Sequence, residues 1–300
     1  MAHGGFRIEH VEYRAASALL QAVRHPVFID EQQVPAELEW DELDEPSHHV
    51  LALADDGTPI GTGRLTPRRT IGRMAVVRAW RGRGVGEAVL QALVQKAREA
   101  GWPEVTLAAQ THALGFYARA GFLPEGEHFD DAGIEHLRMR LALEGPATIV
   151  DRRALVAATL GVIANTSRRL VLYSRDLDPG VLDRPEVVDA FRRLATARGE
   201  IRVLLQDPLA ARQSLAPLIE LGQRLPSALS FRAVEEQVDR AYPSAFMASD
   251  RGAWLFRPLG HRPEGETSIA HRARARQLLG IFEPFWERAR PCTEFRALGI

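Results

Sequence analysis

Apolar and polar positions alternate near the start of the chain, and "FRIEHV" (residues 6–11) predicts a strand. The period then changes: "AASALLQAVRHPVF" has helical spacing. Alternation returns in "HHVLALAD", with "DDGTP" as a turn and "IGTGRLTP" as the returning strand. "TIGRMAVV" predicts a further strand. Gly86 to Ala100 predicts an amphipathic helix with Val89, Leu90, Leu93, Val94 and Ala97 on its apolar face and Gly101 as its cap. "EVTLAAQ" reads as a strand, "HALGFYARA" as a short helix, "GFLPEGE" as a strand with a turn, and "EHLRMRLAL" alternates again. The order is mixed α/β, with an antiparallel start and one helix crossing after a glycine-rich loop.

The second half predicts a helix over Arg152–Ala164, the strand "RLVLYS", and the helix "PEVVDAFRRLATARG", with proline at its start and glycine at its end. The strand "EIRVLLQD", a helix near Leu209–Leu221 and the strand "LSFRAV" follow. "SAFMASDRGAWLFRP" predicts a hairpin turning at Asp250-Arg251-Gly252, and a terminal helix is expected over Ser268–Arg288. This half is a second α/β domain. The punctuation Gly145-Pro146 within "LEGPATIVD" places the boundary, giving domains 1–145 and 146–300.

Composition adds limits. With 46% hydrophobic and 26% charged residues, the chain suits soluble globular cores. No apolar run reaches the length of a membrane span, and the first ten residues lack the order of a signal peptide, so a cytoplasmic protein is expected. Cys292 is the single cysteine, which excludes an intramolecular disulfide and a cysteine metal cluster; no metal is expected. Charge is uneven: residues 1–145 hold 15 basic against 21 acidic side chains, and residues 146–300 hold 23 against 18. Opposite halves can dock on each other, or the basic half can meet an anionic partner. Lys96 is the only lysine, a coding bias with no functional meaning.

The candidate chemistry starts at Arg81-Gly82-Arg83-Gly84-Val85-Gly86, between a strand and a helix. It lacks the Gly-Lys-Ser/Thr of a Walker A loop and the G-x-G-x-x-G of a Rossmann turn. Small residues there let backbone N–H groups approach an anion, and the helix start adds a favourable dipole. The segment resembles the pyrophosphate loop of the GNAT family of acetyl-CoA-dependent N-acetyltransferases, Q/R-x-x-G-x-G/A, with Arg81, Gly84 and Gly86 in register. The preceding "RMAVV", the later "FYARAGF", the entry segment "VFIDEQQVPAELEWDELDEPSHHVLA" and "GIEHLRMRL" extend the resemblance, toward its ElaA-like branch, over residues 6–143.

That resemblance implies a GNAT-type mixed sheet flanked by helices, with acetyl-CoA as cosubstrate and a small-molecule or protein amine as acceptor. The backbone of Met74, Ala75 and Val76 would align the pantetheine arm and receive the acetyl carbonyl, and Arg81 to Gly86 (Arg81, Gly82, Arg83, Gly84, Val85, Gly86) would hold the pyrophosphate. Tyr117 matches the family's general acid toward the thiolate; a phenol with an ordinary pKa of about 10 is protonated and able to donate. Read without the resemblance, Phe116 and Tyr117 are helix-core aromatics. The base is open among Glu31, Glu37, Glu39, Asp41, His48 and His49, with Glu31 the first to test because its Glu-Gln pair matches the branch motif. The acidic run from Glu37 to Glu45 reads either as a solvated loop or as an attractor for a cationic acceptor. His49 reads as a satisfied core histidine, and His112 as a cap or surface residue.

The element order of residues 150–300 resembles a phospholipase D-like half. With Asp250 on the motif aspartate of H-x-K-x-x-x-x-D, the nucleophile position is Pro243 and the lysine position Ala245, so phosphodiesterase chemistry is not expected. Arginines there, such as Arg272, Arg274 and Arg276, spread around a helix without interleaved aromatics and read as solvated surface, so a nucleic-acid partner is not expected. Neither is a membrane partner; a homo-oligomer is compatible with the sequence. Two functions remain open at this level: an N-acetyltransferase with an accessory domain, and a non-catalytic acetyl-CoA sensor whose second domain binds a protein or nucleic-acid partner.

Overall fold

The computed structural model describes residues 5–214 and 216–295. Two compact units emerge, Met1–Thr111 with Gly126–Glu144, and His112–Glu125 with Gly145–Ile300. Each is an α/β arrangement built on its own sheet.

The first unit begins with β1 (Phe6–Val11) and α1 (Tyr13–Arg24). The predicted helix does not run unchanged to Phe28. After Arg24 it widens into a π-helical turn, His25–Glu31, in which the Gln32 N–H donates to the Val27 carbonyl at 3.2 Å. Pro26 explains the change: it has no N–H for the α-helical ladder, and the chain re-registers around it. A one-turn α2 (Ala36–Glu39) follows, then β2 (His48–Ala54), β3 (Pro59–Leu65), β4 (Thr70–Val76), α3 (Val85–Glu99) and β5 (Glu104–Gln110). The chain continues through α4 (Leu114–Arg119), β6 (Leu123–Asp131) and β7 (Ile134–Ala142). The sheet order is β1-β2-β3-β4-β5-β7-β6. The neighbours from β1 to β4 are antiparallel, β4 and β5 are parallel, and β5 and β7 are antiparallel again.

Both faces of β3 are covered. On one, Ala16, Leu20, Val23 and Val27 pack with Leu51, Leu53 and Ala75. On the other, α3 lies directly on Gly61 and Gly63. A β-carbon at Gly63 would fall 2.7 Å from Met74 Sδ and 2.8 Å from Val89 Cγ1 and Leu93 Cδ1. The two glycines therefore set how close α3, and with it the loop before α3, comes to the sheet.

The second unit holds β8 (Ala147–Ile149), α5 (Arg152–Ala164), β9 (Arg169–Ser174), α6 (Pro185–Thr196) and β10 (Glu200–Leu205). The helix expected over Leu209–Leu221 is two helices, α7 (Pro208–Gln213) and α8 (Pro217–Arg224), because each proline suits a first helical turn and Pro217 cannot continue the helix before it. Then come β11 (Leu229–Ala233), α9 (Gln237–Arg240), β12 (Ala245–Ser249), β13 (Trp254–Arg257), β14 (Gly265–Ser268), α10 (Arg272–Arg288) and β15 (Arg290–Pro291). The expected terminal helix begins later than Ser268, which belongs to a strand. The expected hairpin is present, with Gly252 at φ 101° in its turn. The sheet order is β15-β11-β10-β9-β12-β13-β14-β8, parallel across β9, β10 and β11. A core of Tyr173, Phe246, Trp254, Phe282 and Trp286 fills the face under α10. Buried Arg257 ties the loop after β9 to the loop after β13, pairing with Asp178 at 2.6 Å and donating to the Gly260 carbonyl at 2.7 Å.

Candidate active site

The ladder between β4 and β5 is short. It pairs Thr70 with Thr106 and Ile71 with Leu107, and goes no further. Beyond it β4 remains bonded to β3, with a register shift opposite Arg73, which adopts a left-handed φ of 51°. This is a bulge, and bulges re-aim a strand. The Val77 N–H donates to the Ile60 carbonyl at 3.0 Å, so by strand alternation Val76 turns its polar groups away from β3. Ala75, opposite Thr62, faces β3.

A 3-10 turn, Arg78–Trp80, leads from β4 into the glycine loop. Gly82 and Gly84 have φ of 75° and 82°, in the left-handed region that favours glycine, and a β-carbon at either would point into open space. Gly84 is the N-cap of α3 and no side chain caps the helix. The first-turn amides of Val85, Gly86 and Glu87 therefore remain available, as an anion requires. Arg83 lies over the Trp80 ring at 5.1 Å.

Arg81 behaves differently. Its Nε donates to the Val76 carbonyl at 3.0 Å, and Nη1 and Nη2 donate to Glu31 Oε1 and Oε2 at 2.6 and 2.7 Å. The Arg81 hydrogen bonds hold the Glu31 carboxyl below its ordinary pKa. A carboxylate fixed as an anion by a bidentate guanidinium is a poor proton acceptor. The structure thus gives Glu31 a partner in the loop.

Three carboxylates of the acidic run, Glu39, Asp41 and Asp44, are paired with arginines, while Glu37, Glu42 and Glu45 are exposed. Arg24 donates to Glu39 at 2.5 Å and to Asp44 at 2.7 Å; Arg64 reaches Asp41 and Asp44, both at 2.6 Å; Arg73 reaches Glu39 at 3.1 Å and Asp41 at 3.0 Å. Three arginines meet three carboxylates in a largely buried network, and Arg24 also lies over the Trp40 ring. Burial pushes Asp44 and Asp41 up, but the arginines outweigh it and leave both carboxyls below the usual range. At Glu39 burial wins and the carboxyl stays raised. Glu37 is exposed on α2.

His49 is buried, with Nε2 2.7 Å from the Asp44 carbonyl and its ring against Tyr13, as a core histidine should be. Burial lowers its pKa. His48 Nε2 lies 2.7 Å from His10 Nδ1, and burial brings its pKa down to about 4.

Tyr117 and His112 belong to the second unit. His112 is exposed in a 3-10 turn. Tyr117 is buried on α4 beside Phe116 and Phe122, and burial pushes its phenol up to about 12. No hydrogen bond reaches its hydroxyl among the described residues. The buried side-chain atoms without a partner are Arg64 Nε, Trp254 Nε1 and Arg257 Nε, so the Tyr117 hydroxyl ends where solvent reaches. Gly161 admits α4 against α5: a β-carbon there would lie 3.1 Å from the Ala118 carbonyl. Asp250 accepts the Ser167 and Arg168 amides, both at 2.9 Å, a structural task within the hairpin turn.

Sequence reasoning missed the partners of the acidic run, because Arg24, Arg64 and Arg73 lie far from it along the chain. It also missed the pairing of Glu31 with Arg81, fifty residues away.

Residues 15–143 match the acetyltransferase (GNAT) domain, and residues 151–298 match a domain of unknown function, DUF7931. The uncharacterized N-acetyltransferase YjcF of Bacillus subtilis is 42% identical over 122 residues, 39% of this chain and 86% of that protein. Protein ElaA of Escherichia coli is 32% identical over 131 residues, 41% of this chain and 84% of that protein. Among solved structures, an acyl-CoA N-acyltransferase from Pseudomonas aeruginosa is 33% identical, with a TM-score of 0.41 over 46% of this chain and 98% of that one. The chain belongs to the GNAT acetyltransferase family. It is an acyltransferase. The match over residues 151–298 is to a domain of unknown function and does not show the resemblance to phospholipase D. No helix among the described residues is long and apolar enough to cross a membrane.

Proposed function

We propose that residues 1–145 transfer an acetyl group from acetyl-CoA directly to a primary amine, and that residues 146–300 form an accessory domain without phosphodiester chemistry. One observation carries this reading: β4 leaves its ladder with β5 at Ile71 and runs straight into a glycine loop and an uncapped helix. Free strand amides can bond a pantetheine arm and polarise an acetyl carbonyl, and the loop amides with the α3 terminus can hold a diphosphate.

In the reaction the amine nitrogen bonds to the thioester carbon, and the carbon–sulfur bond breaks. Tyr117, assigned by the family pattern, gives its phenolic proton to the departing thiolate. The acceptor ammonium gives one proton to solvent before attack, and the second proton that the nitrogen sheds as the amide forms returns through solvent to the Tyr117 phenolate, which restores the phenol. Glu31 is not retained as the base, because Arg81 occupies both of its carboxylate oxygens and makes it a weaker proton acceptor.

The test is calorimetric titration of acetyl-CoA and CoA into the full chain, with Gly84→Asp as the control. Gly84 is left-handed and at the anion site, so aspartate adds both strain and repulsion. Micromolar binding by the wild type that is lost in Gly84→Asp supports the reading. No binding by the wild type overturns it.

A further inference from the structure

Glu31 and Gln32 are neighbours at the end of the π-helical turn, and they reach two different strands. Glu31 binds Arg81 through both carboxylate oxygens, and Arg81 in turn donates to the carbonyl of Val76, the last residue of β4. Gln32 Oε1 accepts from the side chain of Gln110, the last residue of β5, at 3.0 Å. These are the tips of the two strands, which are held on their far sides by β3 and β7 but are unpaired with each other beyond Ile71 and Leu107. At roughly 3.3 Å per residue, the arm of β4 from Ile71 to Val76, unpaired on its β5 side, runs about 16 Å. One turn of chain therefore ties both tips across the open gap.

The turn is well seated. Val27 is in the core with Ala75, and Phe28 and Val77 pack against the same core. Glu31 and Arg81 side chains are nevertheless 45% and 40% exposed. A pair that open to water adds little to stability, although bidentate geometry fixes orientation well. Its selection for fold stability is a weak explanation; its position on the two arms of the gap is a better one.

We propose that Glu31 and Gln32 are positioning residues that fix the separation of the β4 and β5 tips and so align the thioester for attack. The inference rests on the acetyl-CoA reading above. It predicts that loosening a tip weakens recognition of the pantetheine and acetyl portion of the ligand while sparing the nucleotide end.

The cleaner variant is Gln32→Leu, which leaves Arg81 and the loop untouched. Titrations of the full chain compare acetyl-CoA with adenosine 3′,5′-diphosphate, which carries the nucleotide end of CoA and no pantetheine. The expected result is an acetyl-CoA affinity about tenfold weaker, equivalent to ~1.4 kcal/mol, with the diphosphate affinity unchanged. The thermal midpoint should move by no more than about 3 °C. Gln32→Glu keeps an acceptor for Gln110 and should restore acetyl-CoA affinity; Glu31→Gln, which weakens the clamp on Arg81, should reproduce the loss. Unchanged acetyl-CoA affinity in both Gln32→Leu and Glu31→Gln overturns the bridge, and so does equal weakening of both ligands. Wild-type protein that binds no acetyl-CoA at all overturns the acetyltransferase reading instead, a distinct outcome.

Discussion

Arg24 and Asp44 share two hydrogen bonds, at 2.7 and 3.2 Å, where neither side chain meets water. Arg24 also carries Glu39, so its charge answers two buried carboxylates. Replacing it with methionine keeps the volume but leaves three carboxylates sharing Arg64 and Arg73, one buried negative charge short of a partner. Arg24→Met should cost about 3–5 kcal/mol of unfolding free energy, measured by urea denaturation. A loss below about 1 kcal/mol would mean that water enters and solvates the acids.

This network marks the limit of what the sequence could tell. Period and punctuation placed β1 to β5, the amphipathic α3, the glycine loop and the hairpin at Gly252, because each is dictated by residues close together in the chain. The π-helical turn was not legible: spacing continues smoothly past Arg24, and only the missing N–H of Pro26 disturbs it. The run Glu37–Glu45 reads as surface when counted alone. The burial of Glu39 and Asp44 depends on arginines supplied by α1, β3 and β4, and pairing of that range leaves no local pattern. Glu31 stood as a candidate base through the branch motif, and its partner Arg81, fifty residues on, lies beyond any local window.

His48 should give the protein a pH dependence of known sign. Its pKa falls from an ordinary value of about 6.5 to about 4, through burial first and then the neighbouring His10 and Lys96. A depressed pKa means that the folded state prefers the neutral ring. The stabilisation is full above pH 6.5 and is lost as pH falls toward 4. The urea midpoint of wild type should fall more steeply across this window than that of His48→Gln. Parallel profiles would remove His48 as the cause.

Gly63→Val should disturb the site from behind. The added carbons meet Met74, Val89 and Leu93 within van der Waals distance, so α3 must move off β3. Overpacking of this kind costs about 1–3 kcal/mol, and acetyl-CoA affinity should fall with it because the N-terminus of α3 is displaced. Gly72→Ala is the control, as a β-carbon at Gly72 touches nothing within 4 Å. Equal behaviour of the two variants would show that close approach at Gly63 is unimportant.

Tyr117→Phe should separate chemistry from binding. The phenyl ring keeps the contacts with Phe116 and Phe122, while the proton donor is lost. If the phenol serves the departing thiolate, kcat falls by about a hundredfold or more and calorimetric affinity for acetyl-CoA holds. Full turnover in this variant would remove Tyr117 from the mechanism.

The end of the β4–β5 ladder at Ile71 also bears on the integrity of the fold itself. A sheet that stops pairing in its middle has a seam, and the strands on either side are joined there by only two residue pairs. An extended ligand bonded along the β5 side of β4 beyond Ile71 would act as a rung of that sheet, so the substrate would be a structural member of the protein that consumes it. By mass action, occupancy at a hundred times the dissociation constant adds about 2.7 kcal/mol to stability. The abundance of acyl-CoA would then govern how firmly this protein is held together as well as how fast it works.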